Sequence, residues 1–107
     1  MAFIILHFLT MIYGSHSPDP CKVYGVVYIE ESKTMADFLV YEEESEVFAD
    51  VIIFEESNRL FADRAGIWHF TKQRDFADFT VYFTPRRKDA DFSVAYTKTE
   101  SFAGCNK

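Results

Sequence analysis

The sequence predicts an all-β, single-domain protein assembled from repeated strand-plus-return units, and three observations carry that prediction. First, an alanine recurs at Ala36, Ala49, Ala62, Ala77, Ala90 and Ala103, with successive spacings of 13, 13, 15, 13 and 13 residues. Aspartate follows it at Asp37, Asp50, Asp63, Asp78 and Asp91, and Gly104 takes the sixth place. Such a fixed period marks a chain built from copies of one supersecondary unit. Second, each unit holds a short run in which apolar residues alternate with period two, the pattern of a β-strand. Third, 107 residues leave room for one core, and 49% hydrophobic with 18% aromatic residues makes that core dense.

The units begin near residues 23, 36, 49, 62, 77 and 90. The first is a partial copy, "VVYIEESKTM", which ends where the first Ala-Asp begins. In "ADFLVY" one face carries Ala36, Phe38 and Val40; in "ADVIIF" it carries Ala49, Val51 and Ile53. In "ADFTVYF" the same face is Ala77, Phe79, Val81 and Phe83, and in "ADFSVAY" it is Ala90, Phe92, Val94 and Tyr96. That face is apolar throughout and is the expected core. The opposite face changes along the chain, from Leu39, Tyr41, Ile52 and Phe54 to Thr80, Tyr82, Ser93 and Ala95. The expectation is that early strands are covered on both faces while later ones leave one face nearer water.

One unit, "ADRAGIWHFTKQRDF", is two residues longer. Gly66 lies in the insertion, where a bulge or a close backbone crossing favours a residue without a side chain. Trp68, the single tryptophan, reads as a core anchor at that irregular crossing. The connecting stretches "EEESEV", "EESNRL", "TKQRD", "TPRRKD" and "TKTES" are polar and about as long as the strands. A six-residue strand reaches roughly 20 Å, so a return of that length must be nearly extended. Identical out-and-back units coil with one constant hand, and a solenoid is the ordinary outcome.

The ends bound the compartment. "MAFIILHFLTMIYGSHS" holds an apolar run, Phe3 to Tyr13, too short to cross a bilayer and suited to the core of a secretory signal. Residues 1–17 are therefore read as a signal peptide, with Ser15 and Ser17 as the small residues before the cut, and residues 18–107 as the mature domain. Cleavage after Gly14 or Ser15 is a second possibility, and an N-terminal buried strand is the alternative. Cys21 and Cys105 bracket the mature domain almost end to end. In a secreted chain that placement reads as one disulfide; in a cytosolic chain they would be two unrelated thiols.

The net charge of −6 argues against nucleic acid and anionic membranes as partners, since both attract cations. Residues 1–63 carry 12 acids and 3 bases, and residues 64–107 carry 5 and 8, so the two halves attract each other. Arg86, Arg87 and Lys88 form one basic cluster in a connecting stretch, where a solvated turn is the plain reading. No Gly-rich phosphate loop, nucleophile elbow, CxxC or HExxH motif is present. His7 and His16 lie in or beside the signal, which leaves His69 as the one candidate general base. The five repeated aspartates, with Glu42, Glu43, Glu44, Glu55 and Glu56, are oxygen ligands of the kind Ca²⁺ takes. They lack the spacing of a calcium loop, and the aspartates are expected to accept backbone N–H bonds in repeated turns.

The units "ADFLVY", "ADVIIF", "ADFTVYF" and "ADFSVAY", the longer unit with "GIWHF", and the closing "SFAG" together resemble the septoil-knot domain family over residues 22–104. The resemblance implies a small β-rich domain whose backbone is tied in a seven-crossing torus knot. Composition and periodicity alone do not imply a knot, and general topology rules disfavour one. The resemblance brings no activity, cofactor or site residue; the signal-like start and the terminal cysteines depart from it and suggest an extracellular branch. The expected function is that of a secreted, non-enzymatic, stable β domain acting as a binding or structural module towards an extracellular partner. No cofactor, no nucleic acid and no membrane span in the mature chain are expected. The alternative is a small extracellular enzyme or a Ca²⁺-dependent ligand-binding protein that uses the acidic turns, which a cluster of acids with His69 in one concave site would favour.

Overall fold

A computed structural model describes residues 18–106; the signal-peptide reading of residues 1–17 lies outside them. Seven strands run in chain order: β1 (Gly25–Ile29), β2 (Phe38–Glu42), β3 (Val51–Glu55), β4 (Ile67–Thr71), β5 (Phe79–Phe83), β6 (Phe92–Thr97) and β7 (Gly104–Cys105). Single 3₁₀ turns precede them: η1 (Pro20–Lys22), η2 (Lys33–Met35), η3 (Glu46–Phe48), η4 (Arg59–Phe61), η5 (Arg74–Phe76), η6 (Arg87–Asp89) and η7 (Glu100–Phe102). No α-helix occurs among the described residues.

The strands are hydrogen-bonded in the order β4-β1-β5-β2-β6-β3-β7, and β3 also pairs with β4. The sheet thereby closes into a barrel of six parallel strands. β7 runs antiparallel to the first half of β3, on the edge where β4 takes over for the second half. Its interior is filled by Val27, Val40, Val51, Ile53, Trp68, Phe79, Val81, Phe92 and Val94, with Val23 also in this cluster. This is the apolar face read from the alternation. In a barrel this narrow, side chains leave no channel.

Parallel neighbours require crossovers, ordinarily a dozen residues or more. Here the strands are mostly five residues long, so eight residues, 43 to 50 between β2 and β3, return outside the barrel. Three of the 3₁₀ turns pack on a strand that their connection skips: η6 on β2, η3 on β6 and η7 on β3. With β7 counted as a seat between β3 and β4, every connection from β1 to β7 advances two seats around a ring of seven. The single-handed coil expected from the repeat is thus present, but wound twice around one axis and interlaced, rather than stacked as a solenoid.

The expectation about the outer faces is corrected. Thr80, Ser93 and Ala95, on the later strands, are buried, whereas Leu39, Tyr41, Ile52 and Phe54 are only partly so. The reason is the crossover. Thr80 and Ser93 lie beneath connecting segments, and their hydroxyls accept hydrogen bonds from the backbone N–H groups of Asp37 (2.9 Å) and Asp50 (3.1 Å).

Candidate functional site

The repeated aspartates are structural first. The Asp78 carboxylate accepts the Val26 N–H (2.8 Å), and the Asp78 N–H donates to the Val26 carbonyl (2.7 Å). Asp91 clasps Leu39 in the same way, at 2.8 and 2.6 Å. Asp37 clasps Thr80 and Asp50 clasps Ser93, each accepting the partner's N–H at 2.9–3.0 Å and donating to its carbonyl at 3.0 Å. Partners lie 52 or 43 residues apart, so these bonds lace separate windings rather than close a local turn. A carboxylate accepting backbone N–H bonds makes a charge-assisted pair, stronger than a neutral one. Asp63, in the irregular β3–β4 connection, is exposed.

Each repeated alanine ends a 3₁₀ turn and leads into the next strand in extended conformation, Ala62 alone having a different ψ. Ala49 is buried; Ala36, Ala62, Ala77, Ala90 and Ala103 are half-buried. A close backbone crossing lies at Gly66. A Cβ on Gly66 would stand 2.3 Å from the Gly104 nitrogen and 2.6 Å from the Ile52 carbonyl, and Gly66 has φ +83°. Gly104 stands where the other units have aspartate, and at that place the chain meets the backbone of the β3–β4 connection.

Trp68 is fully buried, and its indole N–H donates to the Val23 carbonyl at 2.9 Å. Phe79 lies edge-on to it at 5.3 Å. The reading of Trp68 as a core anchor agrees with this packing. Cys21 and Cys105 are joined by a disulfide with Cα atoms 5.0 Å apart.

Chemistry-bearing groups gather at the mouth formed by the C-terminal ends of the parallel strands. Two adjoining concavities of about 450 and 470 Å³ share Glu55; one adds Phe54, Tyr96 and Lys98, the other Tyr28, Phe70 and Lys72. Burial and the nearby carboxylates of Glu42 and Glu55 push the Tyr96 hydroxyl well above its ordinary pKa. His69 is not part of the mouth: its Nδ1–H donates to the Glu56 carbonyl at 2.8 Å on the barrel's outer side. No group of three or more His, Cys, Asp or Glu side chains is arranged to hold a metal among the described residues. The acidic residues named from the sequence are thus not brought together with His69.

The basic cluster is divided. Arg86 pairs with Asp89 at 3.0 Å, a hydrogen bond that lowers the Asp89 pKa, while Arg87 pairs with Glu43 and donates to the Phe48 carbonyl. Arg74 pairs with the buried Glu30 and lies over the Tyr28 ring.

The sequence reading missed an outward apolar surface. The large residues before the alanines, Met35, Phe48, Phe61, Phe76 and Phe102, are all exposed at the ends of their 3₁₀ turns. Three of them lie in connections that cross neighbouring seats of the ring, η3 past β6, η7 past β3 and η4 past β7, whereas Met35 and Phe76 lie in the connections that cross β5 and β1. η3 lies on β6 and η7 on β3, which are neighbouring strands, and Arg64 in the β3–β4 connection pairs with Glu100 of η7 at 3.0 Å. These three adjacent turns present Val47 (78% exposed), Phe48 (65%), Leu60 (75%), Phe61 (59%) and Phe102 (62%). The available signal was the recurrence of Phe at the end of "EVF", "RLF", "RDF" and "ESF" in otherwise polar returns.

A family model described as the 7(1) septoil knot domain matches residues 20–106. No curated protein and no solved structure matches the chain.

Proposed function

The chain belongs to the septoil-knot domain family, and from that premise we propose that it is a secreted, non-enzymatic binding module. Its face is the surface of η3, η4 and η7. The observation that carries the reading is the exposure of Val47, Phe48, Leu60, Phe61 and Phe102 on adjacent turns. Large apolar side chains clustered on a soluble surface mark contact sites. The fitting partner is a protein with an apolar depression that takes these side chains. The disulfide supports an extracellular setting, where such bonds persist.

Two experiments test the reading. Expression through a secretory pathway should yield a mature N-terminus between Ser15 and Cys21 and no free thiol by mass spectrometry; an intact Met1 would contradict secretion. For the face, the triple variant Phe48→Ser, Phe61→Ser, Phe102→Ser should melt like the parent, since all three rings are exposed. The parent, immobilised, should retain a protein from its native extracellular fluid that the variant does not. Equal retention, or apolar contact only with a second copy of this chain in sedimentation, would overturn it.

A further inference from the structure

We infer that the Cys21–Cys105 disulfide is the last step of the winding and seals the knot covalently, so that this chain must be tied before it is oxidised and cannot be untied afterwards. The six connections from β1 to β7 each advance two seats around the ring of seven. The bridge leads from Cys105 in β7 to Cys21 in η1, just before β1. From β7 to β1 is again two seats, past β4. With the bridge there are seven two-seat steps, the last through the antiparallel β7 and the disulfide, which make two full circuits of the barrel before the path meets itself. That is the winding of a seven-crossing torus knot, consistent with the family's description. It is completed by sulfur rather than by an imagined line between chain ends.

Contacts at the bridge place both ends where this closure occurs. β7 packs against η1. The Asn106 N–H donates to the Asp50 carbonyl at 2.9 Å, and its amide donates to the Glu46 and Ala49 carbonyls at 2.8 and 2.9 Å. Trp68, on the strand the bridge passes, holds the Val23 carbonyl.

Topology then fixes an order of events. A covalent ring keeps its knot type whatever its conformation. A native oxidised molecule unfolded by denaturant remains a knotted ring of sequence separation 84. A chain bridged before threading is an unknotted ring and can never reach the native winding until the bridge is cut. The two rings have the same mass and the same disulfide. Closure itself joins the two thiols with loss of two protons and two electrons to a small-molecule disulfide, which leaves as two thiols.

The test compares two preparations of the same chain, the second matched to the N-terminus of the first. One is the native oxidised protein. The other is chemically synthesised, kept in strong denaturant throughout, and oxidised there with a small-molecule disulfide, so that it has never folded. In denaturant the native-derived ring should elute later from a sizing column, being the more compact. On dilution the native-derived ring should refold. The never-folded ring should recover no native circular dichroism until reductant is added. Co-elution together with refolding of the never-folded ring without reductant would overturn the inference. If the synthetic chain fails to refold even when reduced, the elution difference alone decides: two peaks support the seal, and one peak rejects it.

Discussion

Two regions of the barrel solve the same crossing problem differently. In the regular region, β1 and β2 interleave with β5 and β6, and register repeats without change. Val27 faces Phe79 as Val40 faces Phe92, and Phe38 faces Val81 as Val51 faces Val94. Each crossing there is fastened by an aspartate clasp. At the seam, where β3 meets β4 and β7, the repeat must close on itself and other devices appear. Gly66 lets backbones touch, Trp68 fills the space and captures Val23, Asn106 binds the η3 turn, and a disulfide joins the ends. The difference teaches that repetition can supply interlacing, whereas closure needs residues that occur once. The ion pairs follow the same division: Glu30–Arg74 and Glu43–Arg87 are equivalent, and their counterparts one unit on are Glu56 and Glu100, two acids. Glu100 turns instead to Arg64 of the insertion.

Substitutions can break this contrast. The largest loss is expected at Trp68→Ala, which empties the core where the seam closes and frees the Val23 carbonyl. About 3–5 kcal/mol should be lost in denaturant melts, as for other large-to-small core changes. Gly66→Ala should cost about 3 kcal/mol, because its Cβ meets backbone on two sides and its φ of +83° strains any other residue. Gly104→Ala has open space around its Cβ, so its φ of +141° is the one source of strain and it should cost less than Gly66→Ala; equal losses would mean that the close crossing is not what matters. In the regular region, Asp91→Ala should cost about 1–3 kcal/mol by leaving the Leu39 N–H without its charged acceptor. Asp63→Ala, in the exposed connection of the seam, should stay within about 0.5 kcal/mol. Matching losses at the two aspartates would show that their place in the motif, not the clasp, carries the effect.

Much of this was legible in the sequence. The alternation in "ADFTVYF" and "ADFSVAY" locates strands and their buried face, because the barrel interior accepts only apolar side chains. The extra two residues with Gly66 and Trp68 locate the irregular crossing. The outer face was not legible: Thr80 and Ser93 look solvent-facing because polarity alternates, but a crossing backbone covers them and uses their hydroxyls. Nor did the exposed Phe48, Phe61 and Phe102 announce themselves, since a phenylalanine before a small residue reads as core when the turn that lifts it outwards is unknown. Partners 43 and 52 residues apart leave no local trace in the chain.

The smallest effect concerns the mouth, outside both regions' fastenings. The Tyr96 pKa is higher in the folded chain than the ordinary phenol value of about 10. The folded state therefore holds that proton more tightly, and the associated stability is present below about pH 10 and lost as pH rises towards the folded value. Tyr96→Phe should flatten the decline of melting temperature above about pH 10 relative to the parent; parallel curves would reject that role.

The contrast between a self-fastened region and a sealed seam is tested most directly by native-state hydrogen exchange on the oxidised and reduced protein. Reduction should speed exchange at Asn106, at Phe54, whose N–H donates to the Gly66 carbonyl, and at the Trp68 indole. The clasped amides of Val26, Leu39, Thr80 and Ser93 should keep their protection. A uniform loss of protection across both sets would contradict the account, because it would make the disulfide a general brace and not the closure of one crossing.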